Sequence, residues 1–105
     1  MENNVTAIIR VKVKPETKHG YKEIAKIISE FREVEAVYLM SGEYDFVVMA
    51  NGENLRQVGR FVSEKLSIIT GVLSVSSAFV MERYKHGGEI LSVVEENDDR
   101  SLFNV

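Results

Sequence analysis

From Val5 to Lys14 apolar and polar positions alternate. Val5, Ala7, Ile9, Val11 and Val13 fall on one parity, and Thr6, Ile8, Arg10, Lys12 and Lys14 on the other. A period of two with one apolar face predicts a half-buried strand, closed by Pro15. The period then lengthens. Tyr21, Ile24, Ala25, Ile28 and Phe31 recur at helical spacing, with Lys22, Lys26 and Glu30 opposite, which predicts a helix over Thr17 to Arg32. Gly20 weakens its first turn. Val34 to Met40 reads as a second strand, Ser41-Gly42-Glu43 as a turn, and Tyr44 to Ala50 as a third strand. The third strand is apolar without interruption from Phe46 to Ala50, as a strand covered on both faces would be. Asn51-Gly52 breaks it. Asn54 is placed to cap a second helix whose buried stripe is Leu55, Val58, Val62, Leu66 and Ile69. Thr70-Gly71 ends that helix, and Val72 to Tyr84 reads as a fourth strand. After the His86-Gly87-Gly88 turn, Ile90 to Val94 suits a short fifth strand. The acidic end, from Asp98 onward, is expected to be mobile or ordered only against a neighbour.

The element order is β-α-β-β-α-β. Val5 and Tyr44 open strands one and three, and Val34 and Val72 open strands two and four, at nearly equal separations. Two similar βαβ halves predict an α+β, ferredoxin-like βαββαβ sandwich: a four-stranded antiparallel sheet with both helices on one face, and a possible short fifth strand at the C-terminus. Residues 1–97 form the single domain in this reading, and 98–105 the tail.

Two helices cover one face of such a sheet. The other should be polar if it meets water. Yet strand three is apolar on both parities. So is strand four, with Leu73, Val75, Phe79 and Met81 on one and Val72, Ala78 and Val80 on the other. A second copy packed face to face would cover that surface, so a homodimer is expected. The alternative is a tail strand folded back over it.

Composition narrows the function. A length of 105 residues is one domain's worth, and a formal charge of −3 argues against a direct nucleic-acid partner. The absence of cysteine removes disulfides, thiol catalysis and thiolate metal sites. There is no signal-peptide pattern and no apolar run of spanning length, so a cytoplasmic protein without membrane contact is expected. His19 and His86 stand apart, and neither sits in an apolar run. Glu95-Glu96 and Asp98-Asp99 are adjacent rather than convergent. Gly87-Gly88 lacks phosphate-loop spacing. Arg10 and Asn51 have no loop context for holding a phosphoryl group. No catalytic residue, metal site or cofactor is expected, and the chain is read as not an enzyme.

The turn Met40-Ser41-Gly42-Glu43-Tyr44-Asp45 remains. Glycine permits a positive φ and close backbone approach. Free N–H groups at such a turn can hold a carboxylate. Asp45, opening an apolar strand, could take an ammonium group, and Ser76 and Ser77 interrupt strand four with hydroxyls. The same spacing also suits a plain β-turn in which Asp45 caps nearby N–H groups.

The segments VEAVYLMSGEYDFVV and ITGVLSVSSAFVMERYK, separated by the second helix, resemble the C-terminal ligand-binding (RAM) domain of the Lrp/AsnC transcription regulators. The likeness extends from about Val5 to Val94. It implies a free amino acid or related small molecule bound between dimers that pair through their sheets and assemble further. It implies a ligand site at Met40, Ser41, Gly42, Tyr44 and Asp45, with Val75 and Ser77 on strand four. Val75 departs from the hydroxyl that the family often carries there, which leaves Ser77 as the polar candidate. Full-length regulators carry a helix-turn-helix domain. A chain starting at strand one resembles the stand-alone form, and the resemblance implies co-assembly with full-length relatives. The expectation is thus an amino-acid-sensing, homo-oligomeric regulatory module. The alternatives are an assembly module without ligand and a small cofactor-free enzyme.

Overall fold

The alternating N-terminal segment forms β1 (Val5–Val13) at the heart of an antiparallel sheet. A computed structural model describes residues 4–15 and 20–91 of the chain. The expected start of the first helix at Thr17, His19, most of the proposed fifth strand and the whole 98–105 tail lie outside the described residues. Helix α1 spans Gly20–Ser29, and Gly20 opens it at φ 75°. Next come β2 (Val34–Leu39), β3 (Phe46–Gly52) and α2 (Leu55–Phe61), which runs on into a π turn over Val62–Leu66. β4 is Val72–Phe79, and β5 (Lys85–His86) and β6 (Glu89–Ile90) form a small hairpin.

The sheet order is β2-β3-β1-β4, with every neighbouring pair antiparallel. This is the expected ferredoxin-like α+β arrangement. Ala7, Ile9, Val11 and Val13 of β1 meet Phe46, Val48 and Ala50 of β3 beneath Ile24 and Ile28 of α1 and Val58, Phe61 and Leu66 of the second helix. Both helices therefore lie on one face. Burial of the Val, Ile, Leu and Phe side chains among them contributes roughly 1.5–3 kcal/mol each.

Several local readings shift. Asn54 caps α2 as expected, its side chain accepting from the Gln57 N–H at 2.8 Å. The expected stripe does not hold throughout: Leu55 is 57% exposed, and Phe61, outside the stripe, is buried. The π turn bears on the second of these. Ser67 donates its N–H to the Val62 carbonyl at 2.9 Å, one residue further along than α-helical pairing. That extra residue lets Phe61 and Leu66 both face the core. β4 stops at Phe79 rather than Tyr84. Leu73 is skipped in its register with β1, Lys12 facing Ser74 and Val13 facing Val72. Glu35 is skipped likewise between β2 and β3. β6 pairs with β5 and not with the main sheet, through a turn whose Gly87 and Gly88 sit at φ 60° and 83°. Among the described residues, no tail strand covers the open face.

Candidate functional site

The open face carries Thr6, Ile8, Arg10 and Lys12 of β1. Beside them, by register, lie Asn51, Met49 and Val47 of β3, Ala36 and Tyr38 of β2, and Ser74, Ser76 and Ala78 of β4. Where β2 hands over to β3, the chain folds into the Met40–Asp45 turn. The Met40 N–H donates to the Asp45 carbonyl at 2.8 Å, closing the turn, and the Asp45 N–H donates to the Val11 carbonyl at 2.9 Å. The turn is tied to β1 twice more. Lys12 donates its ammonium to the Glu43 carbonyl at 2.8 Å. The Val13 N–H, two residues past the last β1–β3 pair, donates to Asp45 Oδ2 at 2.8 Å. The Tyr21 hydroxyl of α1 reaches Asp45 Oδ1 at 3.3 Å, and the Tyr21 ring stands edge-on to Phe46 with centroids 5.9 Å apart. Asp45 thus gives a strand N–H an acceptor just past the point where the β1–β3 pairing ends.

Beneath the turn is a cavity of about 290 Å³ lined by Arg10, Met40, Ser41, Gly42, Glu43, Tyr44 and Val47. Four of the expected site residues, Met40, Ser41, Gly42 and Tyr44, meet there. Gly42 is not in the left-handed region, and a Cβ built on it would meet nothing within 4 Å. Its contribution is open space, not an unusual φ. Among the described residues, the N–H groups of Ser41, Gly42, Glu43 and Tyr44 donate to no protein acceptor, so the turn offers unsatisfied donors to its surroundings.

Asp45 adjoins the cavity without lining it. Val75 and Ser77 lie elsewhere: they pair with Val11 and Ile9, putting them on β4 and on the helix side, with β1 and β3 between them and the turn. One chain does not bring them to the Gly42 turn.

Sequence reasoning missed Arg10 as a lining residue, although the alternation of β1 already placed it on the open face. The Arg10 guanidinium lies over the Tyr44 ring, 4.9 Å from its centroid. Also missed was a polar line across the far end of the face. Arg83 donates to Thr6 Oγ1 at 2.5 Å, Thr6 donates to Asn51 Oδ1 at 2.6 Å, and Asn51 donates to Glu35 Oε1 at 3.0 Å. These partners come from four segments of the chain, so no local motif signals them.

A second groove, of about 380 Å³, runs between Glu33 and α2. Its charges largely answer one another: Lys65 pairs with Glu33 at 2.9 Å and Arg60 with Glu64 at 3.4 Å. Glu33 titrates below its ordinary range. Partial burial works against its charged form, but the Lys65 contact, its own backbone N–H and the charge of Arg32 outweigh that cost.

No group of three or more His, Asp or Glu side chains suited to a metal occurs among the described residues. No helix there is long and apolar enough to cross a membrane.

Residues 6–90 match the family model of the Lrp/AsnC ligand binding domain. The chain is similar to an uncharacterized HTH-type transcriptional regulator, YugG of Bacillus subtilis, with 46% identity over 95 residues, 90% of this chain and 55% of that protein. Among solved structures it is similar to the transcriptional regulator NMB0573 of Neisseria meningitidis in complex with L-Met. The TM-score is 0.73 at 25% identity, covering 83% of this chain and 56% of that one. A Pyrococcus horikoshii protein, PHS023, shares the fold with a TM-score of 0.65 at 23% identity, covering 79% of this chain and 96% of that one. The chain spans about half the length of the curated relatives it matches.

Proposed function

This chain belongs to the Lrp/AsnC ligand-binding-domain family, and from that premise we propose that it senses a free amino acid in the cavity at the Met40–Asp45 turn and works as a homo-oligomer. The observation that carries the reading is the turn itself. Among the described residues the N–H groups of Ser41, Gly42, Glu43 and Tyr44 donate to no protein acceptor, Gly42 leaves space, and a cavity of amino-acid size adjoins the turn. The relative from Neisseria meningitidis, whose structure contains L-Met, supports an amino acid as the ligand class. Met40, Ser41, Gly42 and Tyr44 surround the ligand, and Asp45 holds the turn in register with β1. Val75 and Ser77 join the site only from another copy, so the site is completed by assembly. The open face supports that assembly: Tyr38 is 53% exposed, Ile8 is exposed, and Val47 and Met49 are half-buried. The segment after β4 adds exposed Met81 and Tyr84, and the hairpin exposed Ile90. A two-stranded ribbon is marginal by itself in water and gains from a neighbour. In a cell the module would act with full-length regulators of the same family, passing on the ligand's presence through shared oligomers.

Unfolding temperature and calorimetry with each of the twenty amino acids at millimolar concentration test the ligand reading. At least one should stabilise the chain, by about 2.7 kcal/mol at a hundredfold excess over its dissociation constant. Stabilisation by none overturns it. Light scattering should show a dimer or larger species at micromolar concentration, and a monomer overturns the assembly.

A further inference from the structure

The polar line across the open face runs in one direction. Arg83 donates to Thr6, Thr6 to Asn51, and Asn51 to Glu35, so a cation stands at one end and an anion at the other. We infer that this line is a pairing determinant: when a second copy of the chain covers the open face, Arg83 of each copy meets the partner's Glu35, and these two reciprocal ion pairs select a partner that carries the same line. The inference rests on the homo-oligomer reading and assigns the residues that choose the partner.

The direction follows from the chemistry of each member. A guanidinium only donates and a carboxylate only accepts, while the Thr6 hydroxyl and the Asn51 amide do both. Hydrogen bonds aligned in this way polarise one another. The line also crosses the sheet in strand order. Glu35 comes from β2, Asn51 from β3 and Thr6 from β1. Arg83 reaches in from the chain past β4, where the Val80 N–H still bonds the Thr6 carbonyl at 2.8 Å. The neutral members therefore occupy the two central strands, and the charges come from the two edges.

That layout suits a two-fold partner. In such an interface residue i of one copy touches residue j of the other, and j touches i. Sheets packed face to face share an axis that lies between them. An axis running along the strands turns each line end for end over the other, so that Arg83 and the partner's Glu35 come together twice. Thr6 and Asn51, nearest the axis, are neutral, whereas a charge placed there would confront its own image. Both end groups are exposed, and among the described residues neither takes part in an ion pair. Arg83 gives one N–H to Thr6, and Glu35 gives Oε1 to Asn51, which leaves further donors on the first and Oε2 on the second. Ile8, Tyr38, Val47 and Met49 supply apolar surface on the same face, but apolar contact is non-directional and tolerates many placements. The charged ends single out one placement and penalise a partner that presents a like charge at either end.

Charge reversal followed by mixing tests the assignment. Glu35→Arg and Arg83→Glu should each self-associate about tenfold or more weakly than wild type in sedimentation over a concentration series, because each pair of identical copies then carries two like-charge contacts. An equimolar mixture of the two variants should recover association close to wild type, with mixed species dominant in native mass spectrometry, since a mixed pair sets Arg against Glu at both places. The double variant carrying both reversals should also self-associate like wild type: Thr6 and Asn51 each donate and accept, so the line can run backwards. Circular dichroism checks that each variant folds, and Glu35→Lys or Arg83→Asp replaces a reversal that does not. Wild-type self-association in both reversals overturns this inference and leaves the homo-oligomer reading standing. So does a mixture as weak as its components, which makes the line a strap within one chain. A wild-type chain that stays monomeric overturns both.

Discussion

On the helix side of the sheet, Ile9, Val48 and Ala50 are fully buried, while on the opposite side their neighbours Ile8, Val47 and Met49 keep part of their surface in water. The two faces alternate residue by residue along the same strands, so backbone and register are shared. What differs is the partner. The helix side is completed within the chain by Ile24, Ile28, Val58, Phe61 and Leu66. The open side mixes apolar side chains with the Arg83–Thr6–Asn51–Glu35 line and the stacked Arg10. Thr6, only 3% exposed, is acceptable there because its hydroxyl both donates and accepts. A surface of that kind suits a specific docking event better than simple collapse, because each buried polar group demands a particular partner.

Truncation on the two faces should separate them most clearly. Phe46→Ala removes a fully buried ring and its contact with Tyr21, and should cost about 3–5 kcal/mol of folding stability by chemical denaturation. Met49→Ala, one strand face over, should cost about 1 kcal/mol in the monomer and show its main effect as weaker self-association in light scattering. Equal losses of folding stability would erase the distinction. Asp45→Ala leaves the Val13 N–H without its acceptor and should cost about 1–3 kcal/mol, read in the same denaturation experiment. An unchanged midpoint would show that water replaces the carboxylate and that the turn is not anchored to β1 as described.

The smallest expected effect concerns pH and lies on the helix side. Glu33 has a folded pKa below its unfolded value, so its contribution is fully present above the ordinary glutamate range and is lost as pH falls through the lower folded value. Stability measured between about pH 5 and pH 3 should fall less in Glu33→Gln than in wild type. An identical slope would remove Glu33 from the acid response.

Much of the fold was legible because it depends on short-range periodicity. The alternation of Val5 to Val13 announced a strand, its helix-facing side and its exposed side together, and Asn54 announced the start of α2. The second helix was read less well. A regular period left Phe61 out of the core, because nothing local marks the π turn that resets the phase at Val62, and it carried in Leu55, which the first turn of α2 leaves exposed. The site divided in the same way. The Gly42 turn and its neighbours stand out in the sequence because they are contiguous. Arg10 does not, since thirty-odd residues of chain separate it from the Tyr44 ring it covers.

The sequence by itself determined the order of elements, the face each strand residue takes, and a glycine turn suited to approach by a ligand. Those follow from the fixed periods of helix and strand, which any stretch of chain carries within itself. Only the tertiary structure decided which side chains share a space. It set Arg10 and Glu43 at one cavity, committed Asp45 to the Val13 N–H, and put Val75 and Ser77 beyond the reach of the turn. Such meetings depend on register, bulges and strand order, where a shift of one residue sends a side chain to the other face.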